Sequence, residues 1–303
     1  MVSVIIPTHY RADRLVRAIE SVQDQTYKDI EIFVISDGYD KETNDVVMEK
    51  MKCDSRINYL VNEGKHGANV VRNIGIENCR GDYVAFLDDD DIWYPTKLEK
   101  QLQIFEQNSK LGLVGCAIRV VYVEKNTSYN TIFKDVGDLS QKILFGNCIG
   151  STSCVVIRKE VIKKCGMFDE TLPARQDYDY WIRICQEYEV DFVKEVQLDY
   201  YVYPSEVKSA QISSSFDKYF KAYKIMNVKY EKLYLSCDVK MQRRIKAQGY
   251  RNLSVRARDN KKITIAFKYW MMSLKWGLSQ DTLKCLIMLI IPKDILLWIR
   301  SKI

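Results

Sequence analysis

Apolar residues in the first hundred positions fall into two alternating rhythms. Short unbroken runs, VSVIIP (2–7), EIFVISD (31–37), INYLV (57–61) and YVAFLD (83–88), are rich in β-branched and aromatic residues. Runs of this kind predict strands buried on both faces. Between them the spacing becomes helical. Leu15, Ile19 and Val22 recur within 11–25, a helix is expected over 40–52, and Val70, Val71 and Ile74 share a face within 67–79. Pro95 suits the first turn of a further helix running through KLEKQLQIFEQ. Strand alternating with helix predicts an α/β fold, a mostly parallel sheet flanked by helices.

Beyond residue 110 the rhythm loosens. LVGCAIRVVYV (113–123) reads as a strand, and GNCIGSTSCVVIRKEVI (146–162) as a turn, a strand and a helix start. Residues 172–188 turn helical after Pro173, and DFVKEVQLDYYVY (191–203) is strand-like. From about 216 only helical spacing remains, which predicts a body over 1–215 and a helical C-terminal region over 216–303. The last apolar stretch contains CLIMLIIP, far short of the roughly 20 residues that span a bilayer. It is expected to lie on a membrane surface or to dock on the body.

Charge sharpens this division. Residues 216–303 carry 14 Lys and 6 Arg against 6 acidic residues, a net +14, which leaves −8 of the chain's +6 for the first 215. An acidic body with a basic tail suggests two tasks. A nucleic-acid-binding protein would be expected to show a recognition module with its positive charge, and none is evident. The nine cysteines are scattered without a CxxC pair, as in a protein of a reducing compartment. The N-terminus has no basic segment leading a long apolar one, so no signal peptide is expected.

The candidate chemistry centres on FLDDDDIW (86–93). Four adjacent carboxylates repel one another, and each ionised neighbour raises the cost of ionising the next. At the C-terminal end of a parallel strand, where open α/β sheets bind ligands, a D-x-D pair suits a hard divalent cation such as magnesium or manganese. Strand alternation would send Asp88 and Asp90 to one side and Asp89 and Asp91 to the other. The competing reading is a solvated acidic loop. Asp37 ends the second strand in the same way, though Asp-Gly is also ordinary turn chemistry. Asp177 in RQDYDYW reads as a helix N-cap or a first-turn acid favoured by the helix dipole, with Asp179 as its neighbouring competitor. Neither histidine has a partner at metal-ligand spacing.

Four segments in order, PTHYRADRLVRAIESVQDQTY, VISDGYDKET, GANVVRNIGIENCRGDYVAFLDDDDIW and GMFDETLPARQDYDYWIR, resemble family 2 glycosyltransferases of the GT-A fold. The likeness covers about residues 1–205 and is nearest to bacterial enzymes building capsule, O-antigen or other exopolysaccharide units. It implies a nucleotide-sugar donor, UDP-linked, and inverting transfer of one sugar to a glycan acceptor. It implies that Pro7, Thr8 and Arg11 line the nucleoside pocket, that Asp37 accepts the uracil N3–H, and that Arg72 contacts the nucleotide. Asp88 and Asp90 would hold Mn2+ or Mg2+, Asp88 or Asp89 would lie near the ribose, and Asp177 would be the catalytic base. GNCIGSTS corresponds to a region facing the acceptor. Gln176 stands where many members carry Glu, and the Q-x-x-R-W motif of processive synthases is absent.

The basic tail, with Trp270, Trp276 and Trp298, suggests an anionic membrane surface and a polyprenyl-diphosphate-linked acceptor, hence a cytoplasmic enzyme peripheral to the inner face of the membrane. Sugar-nucleotide nucleotidyltransferases are the nearest rival, but they carry a glycine-rich loop where this chain has THYRADR. A phosphatase with a strand-end D-x-D would place its nucleophile after the first strand, where Pro-Thr-His stands.

Overall fold

The computed structural model describes residues 1–203 and 215–300. The body runs β1 (Val2–Thr8), α1 (Ala12–Gln23), β2 (Ile30–Asp37), α2 (Lys41–Cys53), β3 (Ile57–Asn62), α3 (Ala68–Asn78), β4 (Tyr83–Phe86), β5 (Ile92–Trp93), α4 (Lys97–Gln107), β6 (Leu111–Tyr122), β7 (Thr127–Thr131), β8 (Val156–Arg158), α5 (Lys159–Cys165), α6 (Gln176–Cys185) and β9 (Glu189–Val202). One sheet joins these strands in the order β3-β2-β1-β4-β8-β6-β9-β5, with β7 paired to β6.

The first four strands in this order are parallel. All of β1 and β2 is buried, which is why both read as unbroken apolar runs. The chain winds outward from β1 through β2 to β3, then returns to place β4 on the other side of β1. A crevice opens at such a reversal, beyond the C-terminal strand ends. Register brings those ends level, with Thr8 opposite Ser36 and Asp37 opposite Asn62. The other half is mixed: β8 runs antiparallel to both β4 and β6, while β6 and β9 are parallel. The cores on both sheet faces join into one cluster, which includes Ile5, Phe86, Leu113, Tyr180 and Trp181.

The helices α7 (Phe216–Lys229), α8 (Glu231–Ser236), α9 (Val239–Asp259), α10 (Ile263–Leu274), α11 (Gln280–Ile290) and α12 (Lys293–Arg300) follow. The expected boundary at 215/216 directly follows residues 204–214, which lie outside the described residues, as do 301–303. Ala222, Met226, Tyr230 and Ile245 join the main core, while Phe216, Leu253, Ala257, Ala266 and Leu289 form a second cluster among the helices. Polar ties reinforce this contact. Lys229 Nζ pairs with Asp169 at 2.7 Å and Asp179 at 2.8 Å, and the Tyr230 hydroxyl donates to Asp179 Oδ1 at 2.7 Å.

The α11 helix buries Thr282, Cys285 and Leu289 and leaves Leu283, Ile287 and Ile290 exposed. Among the described residues no helix is long and apolar enough to cross a membrane. Of the three tryptophans expected at a membrane interface, Trp298 is exposed and the other two are half-buried. Trp270 Nε1 instead donates to Thr282 O at 3.0 Å, and Trp276 stacks under Lys246, because packing between helices has claimed both rings.

Asp169 offers a test of the seam between body and helices. Burial opposes its ionisation, but hydrogen bonds from Lys229 and Thr171 outweigh it and hold the carboxyl down at about 2. A depressed carboxyl stabilises the fold above its unfolded pKa and loses that contribution as pH falls through the folded value. Asp169→Asn should therefore destabilise the protein by about 1 kcal/mol near neutrality, after screening by the solvent that reaches the pair. In urea titrations across pH, that difference should shrink from about pH 4 downward, since ordinary aspartate titrates near there.

Candidate active site

The strand ends open into a cleft of about 1200 Å³. On one flank, Asp37 is held by three donors. Asn62 Nδ2 and His66 Nδ1 lie 2.9 Å from its Oδ1, and the Gly67 amide donates to Oδ2 at 2.8 Å. Gly67 has φ +139°, a conformation costly for any side chain, and it caps α3 in that shape. Pro7 and Thr8 end β1 beside Asp37, and both line the cleft.

The acidic run forms a turn rather than a strand extension. β4 stops at Phe86, and the Asp91 amide bonds back to Asp88 O at 3.0 Å. The two-sided alternation of the carboxylates therefore does not hold. Arg11, at the start of α1, reaches both Asp89 Oδ1 at 2.8 Å and Asp90 Oδ2 at 3.3 Å. Thr8 Oγ1 donates to Asp89 Oδ2 at 2.8 Å. Asp88 faces the other way, bonded to Arg72 Nη2 at 2.5 Å and to Thr152 Oγ1 at 3.2 Å. Asp91 is buried beneath the turn and takes the Tyr201 amide at 3.1 Å, away from the cleft.

Arg11 and Arg72 pair with the acidic run and Arg14 adds its charge nearby, but four adjacent carboxylates still leave an imbalance. Burial, then the charges of Asp89 and Asp88, push the Asp90 carboxyl up to about 7 despite Arg11. Asp89 and Asp91 are raised as well, chiefly by burial. A divalent cation would relieve this excess, and the oxygen donors of Asp88 and Asp90, both lining the cleft, fit a hard ion. Among the described residues no three His, Cys, Asp or Glu side chains form a complete metal cage. Magnesium and manganese commonly take one or two carboxylates and complete their shell with substrate phosphates and water.

Asp177, which also lines the cleft, sits in the first turn of α6 and accepts from Asn147 Nδ2 at 3.0 Å. Burial raises its pKa; the Tyr178 amide, Arg72 and Arg175 pull the other way. Its competitor Asp179 is fully buried and consumed by Arg183, Lys229 and Tyr230. Tyr180 and Trp181 are core residues, with Trp181 Nε1 donating to Gly150 O at 3.1 Å. Among the described residues, Ser151 Oγ and Arg72 Nε are buried in the cleft wall without a hydrogen-bond partner.

Every site residue read from the sequence (Pro7, Thr8, Arg11, Asp37, Arg72, Asp88, Asp89, Asp90 and Asp177) lines this one cleft. The sequence reading did not single out Asn147, Thr152 or Arg175, which also line it, although GNCIGSTS marked the neighbourhood of the first two. Tyr219, Asn252 and Arg256, from α7 and α9, complete the wall. Arg256 thus turns inward rather than toward a membrane, and Arg258 is mostly covered and pairs with Asp259.

A model of glycosyl transferase family 2 matches residues 3–166. An uncharacterized glycosyltransferase of Haemophilus influenzae is 30% identical over 188 residues, covering 62% of this chain and 63% of that protein. The UDP-Glc:alpha-D-GlcNAc-diphosphoundecaprenol beta-1,3-glucosyltransferase WfaP of Escherichia coli is 29% identical over 184 residues, 61% of this chain and 70% of that one. The structure of S. aureus TarS 1-349 in complex with UDP-GlcNAc aligns with TM-score 0.59 at 14% identity, covering 90% of each chain. The mannosyltransferase PcManGT from Pyrobaculum calidifontis, in complex with GDP-Man and Mn2+, aligns with TM-score 0.62 at 14% identity, covering 99% of this chain and 84% of that one. At such identities the structural likeness establishes the fold alone, which is GT-A with added C-terminal helices.

Proposed function

Because this chain belongs to glycosyl transferase family 2 and is a glycosyltransferase, we propose that it transfers one sugar from a UDP-sugar to a lipid-linked glycan, inverting the anomeric carbon. One observation carries this reading: the acidic turn and Asp177 line a single cleft. A donor seated on the strand ends would present its anomeric carbon between them.

Each residue then has a task. Asp37, oriented by Asn62, His66 and Gly67, accepts from the base of the donor. Pro7, Thr8 and Arg11 border the nucleoside, Arg72 meets its phosphates, and Asp89 fixes Thr8 and Arg11 in place. Asp177 takes the proton of the acceptor hydroxyl, whose oxygen forms the new bond to the anomeric carbon as the bond to the nucleoside diphosphate breaks on the opposite face. Manganese or magnesium held by Asp88 and Asp90 would supply Lewis-acid neutralisation of the departing diphosphate.

Incubation with a panel of UDP-sugars, with GDP-mannose alongside, tests the reading through release of nucleoside diphosphate. Release of UDP in the presence of manganese supports it; pyrophosphate-dependent chemistry would point to a nucleotidyltransferase. Asp37→Ala should weaken UDP binding by roughly tenfold or more, the cost of one hydrogen bond to a charged group, with little effect on binding of pyrophosphate alone.

The lipid-linked acceptor draws on WfaP, whose name specifies a diphosphoundecaprenol-linked acceptor. It also draws on the outer helices. Ile263, Phe267 and Met271 on α10, Leu283, Ile287 and Ile290 on α11, and Ile295, Trp298 and Ile299 on α12 are exposed. Together with exposed Lys218, Lys221, Lys224, Arg243 and Lys261 they suit the anionic inner face of a membrane, where each basic residue is worth roughly 1 kcal/mol. Flotation with anionic vesicles should recover the protein, and high salt should weaken but not abolish binding, because apolar insertion is not screened. Failure to float rejects the attachment.

A further inference from the structure

Apart from Arg14, which lies over the Tyr203 ring, the cleft contains two cationic side chains that the donor reading does not use. Arg175 precedes α6 in a left-handed backbone conformation, φ +60°, two residues ahead of Asp177. Its guanidinium carbon lies 4.6 Å from the centre of the Tyr178 ring and 5.0 Å from that of Tyr219. Arg256, on α9, lies 5.1 Å from the same Tyr219 ring. All four side chains line the cleft.

Among the described residues neither guanidinium has an ion pair or a side-chain hydrogen bond, whereas Arg11, Arg72, Arg119 and Arg183 are each paired with an aspartate. Stacking engages the face of a guanidinium and leaves its in-plane N–H groups free. Two such edges beside one tyrosine make a fork suited to the oxygens of a phosphate or diphosphate. The location decides whose phosphate it is. The fork adjoins Asp177, which acts on the acceptor, and it draws on α7 and α9, outside the strand ends that would hold the donor.

A second cavity, about 320 Å³, opens on the far side of Arg175 and Tyr178. Phe145, Tyr223, Met226, Leu235, Ile245 and Trp276 give it an apolar stretch of wall, with Glu231, Gln242 and Lys246 also lining it. An apolar stretch of wall beside a cationic fork suits a phosphate ester that carries a hydrocarbon chain.

We propose that Arg175, Tyr219 and Arg256 form the acceptor's anion subsite, binding the diphosphate through which the acceptor glycan is joined to a prenyl chain whose first units enter the second cavity. This rests on the glycosyltransferase reading above, and it assigns the acceptor half of the cleft.

The full chain, saturated with UDP and manganese so that the donor site is filled, is titrated calorimetrically with farnesyl diphosphate and separately with inorganic pyrophosphate. Farnesyl diphosphate should bind more tightly than pyrophosphate. Arg256→Ala should weaken both by about tenfold or more, with UDP affinity and thermal unfolding unchanged. Tyr219→Phe keeps the stack and should bind as wild type, whereas Tyr219→Leu should not. Should Arg256→Ala prove unstable, Arg256→Lys serves instead and should still lose most of the affinity, since an ammonium cannot reproduce the fork.

Unchanged farnesyl diphosphate affinity in Arg256→Ala, in Arg256→Lys where that variant replaces it, or in Tyr219→Leu overturns the subsite. A parallel loss of UDP affinity also overturns it, by assigning the arginines to the donor. Equal affinity for pyrophosphate and farnesyl diphosphate overturns the prenyl assignment. Failure of wild type to bind UDP at all would count against the donor reading instead.

Discussion

Asp177→Asn should reduce sugar transfer by about 10²–10⁴-fold, the usual contribution of a positioned general base, while UDP binding is retained. The amide keeps the shape of the carboxyl and can still face Asn147, so the start of α6 should be preserved. What it cannot do is accept the acceptor's proton. Two further readouts separate this role from a structural one. Burial raises the Asp177 pKa, so the wild-type rate should fall, as pH drops, at a value above the ordinary carboxylate range. That acidic limb should vanish in the variant. The raised pKa also means that the ionised carboxylate costs the folded state stability at neutral pH and that protonation favours it. Asp177→Asn should therefore be at least as heat-stable as wild type near pH 7. Full activity in the variant, or loss of UDP binding, would assign the residue elsewhere.

The second large effect is expected at the acidic turn. Chelation should abolish transfer, and added manganese should restore it. A Lewis acid at a departing diphosphate is worth several kcal/mol, so the loss should reach about three orders of magnitude. Asp88→Asn should lose activity comparably and respond little to chelator, because the metal's grip has already gone. This carboxylate also pairs with Arg72, so the substitution frees that guanidinium as well. Asp91→Asn is the informative companion: Asp91 is buried under the turn, outside the cleft, and its carboxyl pKa is raised well above normal. Its replacement should leave chelator sensitivity intact. If Asp88→Asn remained active and fully chelator-sensitive, the ion would have to be held elsewhere.

The parallel half of the sheet was legible because β1, β2 and most of β4 are buried, and burial writes itself as unbroken apolar runs, while half-buried β3 still keeps the short apolar run INYLV. β7, TSYNT, was not, since it pairs along only one side and its mostly polar residues are half-buried or exposed. β5 has two residues, too few to show a period. The antiparallel insertion of β8 left no local mark, because VIR reads the same in either direction. The acidic turn illustrates a different limit. Its composition announced a charged site, but the directions of its carboxylates depended on where β4 ends, and Arg11 from another element claimed two of them.

The sequence by itself determined the alternation of strand and helix, the acidic concentration at the end of β4 and the charge contrast between body and tail. These follow from each residue's preference for burial, for a backbone shape or for water, and such preferences act between near neighbours. Tertiary structure alone decided that Asp177 should face the cleft while Asp179 is consumed in the core, and that Arg256 should turn inward to share Tyr219 with Arg175. Contacts between residues far apart in the chain depend on how whole elements pack, and no local pattern of apolar and polar positions encodes that packing.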